Sequence, residues 1–305
     1  MQPRDARPRR FTRALLEEKA RPDAVLVNNV AAFAPSRYTR LHAEVAPAIP
    51  QLGVVHAWHQ VTMKRDDETA ESNRASAQAA LDTIAAVAFG SEHCRAEGLG
   101  LGFAYPRRQA VIPYPLQAAY LEDFEISAQR QGVLFLGSLN ERKNPIALLE
   151  AIAEIDGVPV SFAGEGDEEP RLRERASELG IEGRVSFVGH YDEKVHIAEM
   201  RELVRNARIL CLPSLSESFG IVMIEALAAG TPVVGFGPTF TEIRDRTGED
   251  IGEPVFEGTP AEVGAGLEAV LSRRFNHSAL RKAALRHYSP RQVAKAYAKL
   301  IRSIT

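Results

Sequence analysis

Residues 217–225 read Glu217-Ser218-Phe219-Gly220-Ile221-Val222-Met223-Ile224-Glu225, and the chain continues with Ala226-Leu227-Ala228-Ala229. Nearly every position around Glu225 is apolar, which predicts a helix that is buried on all sides. A buried carboxylate that lacks a partner is strongly unfavourable. Glu225 therefore needs a hydrogen-bonding or charged partner, supplied either by the protein or by a ligand.

Glu217 lies just before this predicted helix, in a loop that begins with Pro213 and follows an apolar strand. The first backbone N–H groups of the helix, near Phe219 and Gly220, have no acceptor within the helix and favour an anion. Two carboxylates beside such amides favour a ligand that carries both phosphates and hydroxyls. Local physics leaves a second interpretation open, in which Glu225 pairs with a core Arg or Lys and Glu217 is solvated.

Short apolar runs alternate with stretches of helical spacing through the second half of the chain. The predicted strands are Val133–Leu136, Val160–Ala163, Val185–Val188, Ile209–Leu212 and Val233–Phe236, and the predicted helices are Pro145–Ile155, Pro170–Leu179, Ala198–Asn206 and Phe219–Ala229. This alternation predicts an α/β fold with a parallel, doubly wound sheet. Ligands bind outside the carboxyl ends of such strands, where Gly137, Gly164, Gly189 and the Pro213–Gly220 loop fall.

The first half shows a shorter pattern of the same kind. The predicted elements are a helix at Thr12–Ala20 and strands at Ala24–Val27, Val54–Trp58, Ile84–Phe89 and Ala110–Ile112. The stretch Pro113–Gln131 is the predicted connection between domains, and helices are expected at Ala261–Leu271, Leu280–His287 and Arg291–Ile304. We therefore expect one domain at 1–125, a second at 126–288, and a final helical segment at 289–305.

Composition limits the function classes. A chain of 305 residues suits two domains, and a net charge of −3 gives no reason to expect nucleic acid as a partner. Cys94 and Cys211 are too few for a disulfide framework or a thiolate metal site, which favours the cytoplasm. Five arginines fall within the first thirteen residues, and two interpretations stay open for them: a solvated tail, or peripheral contact with anionic lipid headgroups.

The runs Ser214–Gly220 and Glu225–Val234 together resemble the donor-site signature of retaining GT-B glycosyltransferases of family four. The resemblance covers residues 131–305 well and 24–125 more loosely. It implies two Rossmann-like domains with parallel sheets and a last helix that crosses back onto the first domain. It also implies retaining transfer of a sugar from a nucleotide-diphosphate donor to a hydroxyl acceptor (a glycan, a lipid or a small molecule), without a metal or other cofactor. The sugar, the base, the acceptor and the oligomeric state stay open.

By this resemblance, the loop from Gly137 to Lys143 holds the diphosphate of the donor. Lys143 matches the family's phosphate-binding lysine, whereas Ser138 stands where the family carries an arginine. Arg142 is a candidate to supply the missing charge, because a guanidinium can hold phosphate oxygens bidentately. The alternative for Arg142 is a solvated position in the loop.

The other donor-site residues are also assigned by resemblance. Glu225 is expected to accept hydrogen bonds from the ribose hydroxyls. Glu217 is expected to face the transferred sugar, where it positions the donor and stabilises charge, with no covalent intermediate. The remaining members of the expected site, which contact the sugar or phosphate or border the nucleotide, are Ser218, Phe219, Gly220, Gly164 and Gly189.

In the first half, His59 matches an active-site histidine that the family places at a strand end, near the sugar and acceptor. His56 lies on the opposite face of the predicted strand and is expected to be structural. Ser91 and Glu92 are expected to cap the helix that follows, and Asp66-Asp67-Glu68 is predicted to be a solvated loop.

The first domain departs from the family at its start. Pro22–Val27 matches an element that the family reaches only after opening strands and a glycine-rich loop. The resemblance therefore predicts either a reduced first domain or a chain that starts late relative to its ancestor. Two hypotheses stay beside the active transferase: an incomplete or impaired donor-binding protein, and a nucleotide-sugar epimerase or hydrolase of the same architecture.

Overall fold

A computed structural model describes residues 23–28, 48–58, 67–189 and 196–305. The predicted Thr12–Ala20 helix, the arginine-rich segment and Asp66 lie outside these residues. The chain forms two compact units. One contains the described residues up to Pro113 together with Val293–Thr305, and the other contains Tyr114–Gln292.

The first unit contains a four-stranded parallel sheet in the order β1-β2-β3-β4. Its strands are β1 Val25–Val27, β2 Gln51–Val55, β3 Ala86–Phe89 and β4 Arg108–Val111. Its helices are Asp67–Leu81, Glu92–Gly100 and all but the first turn of Pro290–Arg302. The Asp67–Leu81 helix corrects the predicted loop at Asp67-Glu68. This helix is rich in alanine and has little large apolar spacing, so periodicity did not indicate it.

The two faces of this first sheet carry separate cores because successive strand residues point to opposite sides. On one face, Val87 and Phe89 pack with Trp58 and with residues of the two helices that precede and follow β3. On the other face, Ala86 and Ala88 pack with Val293 and Leu300. The last helix is therefore part of the first unit's core.

The second unit contains a six-stranded parallel sheet in the order β10-β9-β8-β5-β6-β7. Its strands are β5 Gln131–Leu136, β6 Val160–Ala163, β7 Val185–Gly189, β8 Ala207–Leu212, β9 Val233–Phe236 and β10 Gly252–Val255. Its helices are Ala118–Leu121, Pro145–Ala153, Glu169–Glu178, Ile197–Asn206, Ile221–Ala228, Gly237–Thr247, Pro260–Ser272 and His277–Tyr288. The doubly wound α/β prediction is confirmed, whereas β10 and the Gly237–Thr247 helix were not predicted.

The order of the strands fixes a switch point in this sheet. The chain runs outward from β5 to β6 and β7, then returns to place β8 on the other side of β5. In open α/β sheets the ligand crevice lies outside the carboxyl ends of the strands at such a point. The loops that follow β5 and β8 are therefore the expected ligand-binding loops of the second unit.

The boundary between the units differs from the expected one at 125/126. Residues 114–125 belong to the second unit, where Leu116 and Tyr120 are buried in the core. The guanidinium of Arg281 ties this segment down, because it donates to the carbonyl oxygens of Tyr120 at 3.2 Å and Glu122 at 2.6 Å. The first part of the predicted connection Pro113–Gln131 is thus packed into the core of the second unit, whereas most residues from 121 to 131 are exposed.

No helix among the described residues combines the length and apolar content that crossing a membrane requires.

Candidate functional site

The loops after β5 and β8 meet at the switch point of the second unit. The amide N–H of Leu215 donates to the carbonyl oxygen of Arg142 at 2.8 Å. The Arg142 guanidinium donates in return to the carbonyl oxygen of Ser216, also at 2.8 Å. This pairing brings together two predicted site segments that lie about seventy residues apart in the sequence.

Three charged side chains converge where the loops meet. The Lys143 ammonium forms an ion pair with Glu217 Oε1, and Arg142 Nη1 lies 3.8 Å from Glu217 Oε2. Glu217 is only 8% exposed, and Ser214 Oγ donates to its Oε1 at 2.9 Å. Lys143 is also mostly buried, whereas the Arg142 side chain is half-exposed. The largely buried carboxylate thus has two cations and one hydroxyl around it, and Lys143 is the closer cation.

Two asparagines shape the loop that carries the cations. Asn140 caps the short 3₁₀ turn Glu141–Lys143, where its side chain accepts from the Lys143 amide at 3.0 Å. Asn144 adopts a left-handed conformation with φ of 55°. Its amide group donates to the carbonyl oxygens of Pro213 at 3.1 Å and Gly258 at 2.8 Å. Asn144 therefore fixes the β5 loop to the loops after β8 and β10.

Neither Asn144 nor Ser214 was singled out from the sequence. The available signal for Asn144 is its position before Pro145, because asparagine tolerates left-handed backbone and proline begins helices. Ser214 begins the run that resembles the donor-site signature, but no role of its own was assigned to it.

The three predicted glycines lie side by side at the carboxyl ends of β5, β6 and β7. The Gly137 amide donates to the Ala163 carbonyl at 3.0 Å, and the Gly164 amide donates to the Gly189 carbonyl at 2.9 Å. A Cβ atom on Gly164 would overlap the carbonyl oxygen of Gly137, so this close approach requires glycine. Ser138 beside them is exposed, and its carbonyl oxygen accepts from the Asn140 amide.

The start of the buried helix corrects one expectation. The helix spans Ile221–Ala228, with Gly220 as its N-cap in a left-handed conformation at φ 79°. The first helical amides are therefore those of Ile221 and Val222, rather than those near Phe219 and Gly220. The Phe219 ring is buried and packs edge-on against Tyr114 and Tyr288, so this side chain anchors the loop. Ser218 is partly buried between Glu217 and this anchor.

Glu225 lies within the buried helix, as predicted. The residue is 2% exposed, and the helix positions on both sides of it, Met223 to Ala228, are buried too. The prediction of a carboxylate in apolar surroundings is confirmed, and its role toward a ribose stays a prediction.

The expected residues of the first unit are only partly described. His59 lies outside the described residues. His56 contacts the Asn28 side chain, and burial lowers the pKa of this histidine from its usual value. Ser91 caps the Glu92–Gly100 helix as expected, since its hydroxyl accepts from the Cys94 amide at 2.9 Å.

Within the described residues, no group of three or more His, Cys, Asp or Glu side chains is placed to hold a metal ion. The charged groups at the switch point are instead suited to an anionic ligand. Lys143 and Arg142 can hold phosphate oxygens, and the amino end of the Ile221–Ala228 helix favours negative charge beside them.

Comparison with known proteins agrees with this chemistry. The family model described as glycosyl transferases group 1 matches residues 118–243, which include both loops and the buried helix. Residues 118–243, within the second unit, thus match a glycosyl transferases group 1 domain.

Curated relatives of this group 1 domain are similar over part of the chain. A D-inositol 3-phosphate glycosyltransferase of Geodermatophilus obscurus is 35% identical over 196 residues, which cover 56% of this chain and 42% of that protein. A phosphatidyl-myo-inositol mannosyltransferase of Mycobacterium leprae is 39% identical over 145 residues, which cover 46% of this chain and 37% of that protein. The matched segments thus span less than half the length of these relatives.

Solved structures extend the likeness to both units. Anabaena Alr3699/HepE in complex with UDP superposes with a TM-score of 0.75 at 17% identity, covering 97% of this chain and 82% of that chain. Sucrose-phosphate synthase from Thermosynechococcus elongatus gives a TM-score of 0.71 at 21% identity, covering 96% and 77%. The fold is therefore the predicted GT-B type, an α/β fold with two parallel sheets.

Proposed function

We propose that this chain is a retaining glycosyltransferase that moves a sugar from a nucleotide-diphosphate donor to a hydroxyl acceptor, without a bound metal. One observation carries the proposal. Glu225 is buried in the helix whose amino end adjoins the Lys143–Glu217 pair, at the switch point of a Rossmann-like sheet. The names of the relatives, a glycosyltransferase and a mannosyltransferase, support a sugar as the transferred group.

In this proposal each group has a separate task. Lys143 and Arg142 bind the diphosphate and stabilise the negative charge that develops on it as the glycosidic bond breaks. Glu225 accepts hydrogen bonds from the ribose hydroxyls. Glu217 lies next to the phosphate-binding cations and positions the sugar.

Lys143 changes partner when the donor binds. Without ligand, its ammonium is satisfied by Glu217. A diphosphate that enters between the loops shares the Lys143 ammonium with Glu217 or replaces Glu217 as its partner. Because Glu217 holds the ammonium beforehand, the cation is in position before the ligand arrives. This arrangement reduces the conformational cost of binding.

The first test is calorimetry with UDP and with GDP as probes. We expect Glu225→Ala to weaken binding of the preferred nucleotide by about 100-fold, equivalent to about 3 kcal/mol, because two charge-assisted hydrogen bonds are lost. Glu225→Gln keeps the side-chain volume and one acceptor, and we expect a smaller loss. Glu178→Ala, at an exposed ion pair on another helix, is the matched control. Unchanged nucleotide affinity in a folded Glu225→Ala protein would exclude the ribose role.

The second test separates transfer from the other hypotheses. A transferase releases nucleoside diphosphate faster when a hydroxyl acceptor is added, and the anomeric signals of the product show whether configuration is retained. An epimerase or hydrolase consumes the donor at the same rate without acceptor. The hypothesis of an impaired donor-binding protein, suggested by Ser138, predicts nucleotide binding with no turnover in either case.

A further inference from the structure

A second charged region lies at the opposite end of the second unit's sheet. A cavity of about 380 Å³ borders the amino ends of three strands. Arg130 directly precedes β5, Arg208 is the second residue of β8, and Pro232 directly precedes β9. The proposed donor loops follow the carboxyl ends of β5 and β8, so the cavity is distinct from that site.

Every titratable side chain that lines this cavity is a base. They are Arg130, Arg208, Arg273, Arg274 and His277. Arg273 is neutralised, since it pairs with Asp250 at 3.3 Å and with Glu253. The other three arginines make no ion pair with any carboxylate in the described part of the chain.

Two of these three arginines are held by neutral oxygens. Arg130 donates to the carbonyl oxygens of Ala207 at 3.2 Å and Ala229 at 2.9 Å. Arg208 donates to the carbonyl oxygen of Leu271 at 2.7 Å. These hydrogen bonds orient the guanidinium groups without cancelling their charge, so a net positive potential remains in a concave site.

The pKa values of two partly buried bases in the lining reflect these surroundings. Burial lowers the pKa of Arg130 to about 10, and the charge of Arg205 contributes to this shift. Burial also lowers the pKa of His277; its hydrogen bond to the Gly230 carbonyl opposes this shift, whereas the Arg130 charge adds to it. Both groups lack a nearby anion that would favour their charged forms.

We propose that this cavity binds a small anion that carries one or two phosphate groups. Guanidinium groups match phosphate oxygens in geometry and charge, and the volume lies within the range of small-molecule sites. The anion supplies the negative charge that the lining residues lack. This inference does not depend on the proposed sugar transfer.

The test uses the full chain and a signal specific to this cavity. The imidazole resonances of His277, assigned with a His277→Asn variant, are followed by NMR during titration with inorganic phosphate and then pyrophosphate. We expect a saturable shift and a rise in the pKa of His277, because a bound anion favours the protonated ring. Binding of the probe at the proposed donor loops does not produce this response at His277.

Two exposed arginines provide the variants. We expect Arg208→Gln combined with Arg274→Gln to weaken the His277 response by about tenfold or more, because charge-assisted hydrogen bonds are lost. Arg171→Gln, at an exposed ion pair on the Glu169–Glu178 helix, is the control and should leave the response unchanged. An equal response in the double variant, or no response at His277 with millimolar pyrophosphate, overturns the proposal.

Binding to lipid vesicles distinguishes a phosphate on a lipid headgroup from a phosphate on a soluble compound. If the chain floats with phosphatidylglycerol vesicles, and if both the double variant and added pyrophosphate abolish this flotation, the phosphate belongs to a lipid headgroup. A His277 response to pyrophosphate without vesicle binding assigns it to a soluble compound.

Discussion

Positively charged side chains have different partners at the two ends of the strands in the second unit's sheet. At the carboxyl ends of the strands, Lys143 and Arg142 lie beside the buried carboxylate of Glu217. At the amino ends, Arg130 and Arg208 donate to backbone carbonyl oxygens, and no carboxylate pairs with either in the described residues. The carboxyl ends of the strands, which we call the carboxyl edge, thus carry two cations with one carboxylate between them. The amino ends, which we call the amino edge, carry Arg130 and Arg208 without a paired carboxylate.

This difference has a consequence for ligand binding. In the proposed function, an anion at the carboxyl edge replaces Glu217 as the partner of Lys143. Part of the ligand's charge then takes the place of the Glu217 charge, and the cations are held in place beforehand. An anion that binds at the amino edge adds a charge that was absent. Binding at the amino edge should therefore depend more on net charge, and binding at the carboxyl edge more on the geometry of the loops.

The largest expected effect comes from breaking the cation–carboxylate pair. We expect Lys143→Met to weaken UDP or GDP binding by about 100-fold, because the diphosphate loses its main cation. The same change leaves the largely buried Glu217 without its closer charged partner and should lower the free energy of unfolding by about 2 kcal/mol. Adding Glu217→Gln to Lys143→Met should restore most of the stability and none of the affinity. Calorimetry and urea denaturation measure the two quantities.

Lys282→Met, at an exposed position on the His277–Tyr288 helix, is the matched control and should change neither quantity. If the double variant recovered nucleotide affinity along with stability, the role of Lys143 would be structural and the carboxyl edge would hold no phosphate.

Much of the carboxyl edge could be predicted from the sequence because it depends on local patterns. The apolar runs gave the bounds of β6 and β9 as observed, and glycines directly after strands indicated the ligand edge. The contact of Lys143 with Glu217 depends on the return of β8 to the side of β5, which no local pattern encodes. β10 was not predicted because it contains Gly252 and Pro254. Both residue types are unusual in strands, although an edge strand tolerates them.

The amino edge gave no signal in the sequence. Arg130, Arg208 and Arg274 are far apart along the chain and belong to no recognisable motif. Each taken alone is consistent with a solvated surface arginine. Only the parallel alignment of β5 and β8, together with the end of the Pro260–Ser272 helix, brings them to one cavity.

A glycine substitution tests how closely the loops must approach at the carboxyl edge. We expect Gly164→Ala to lower the free energy of unfolding by about 2 kcal/mol, because its Cβ would overlap the Gly137 carbonyl and its φ of 141° is strained for alanine. Nucleotide affinity should fall with it, since Gly137 begins the proposed phosphate-binding loop. Gly183→Ala is the control, because nothing lies within 4 Å of a Cβ at that position. Equal stability of the two variants would show that the edge is looser than described.

Substitutions at Asn144 test whether its side chain holds the β5 loop in place, and their expected effect on stability is smaller. Asn144→Gly keeps the left-handed backbone and loses only the side-chain hydrogen bonds to Pro213 and Gly258, for which we expect about 1 kcal/mol of destabilisation. Asn144→Ala adds backbone strain, and we expect about 1 kcal/mol more. Thermal unfolding gives the stabilities, and calorimetry with UDP or GDP should show weaker binding in both variants. If nucleotide affinity stays at the wild-type value in both, the hydrogen bonds from Asn144 do not position Lys143.

The smallest expected effect concerns pH and lies at the amino edge. The pKa of His277 in the folded chain is below its usual value of 6.5, chiefly because of burial. The folded state therefore binds fewer protons than the unfolded state, so the stability that the neutral ring contributes is complete above pH 6.5 and falls as the pH drops through and below that value. His277→Gln should remove part of this slope. His287, whose pKa is also lowered by burial but which does not line the cavity, provides the comparison as His287→Gln.

Pyrophosphate should flatten the slope of the wild-type chain and of His287→Gln, because a bound anion favours protonated His277. An unaltered slope in saturating pyrophosphate would mean that the amino edge holds no phosphate, and the contrast between the two edges would then be one of structure alone.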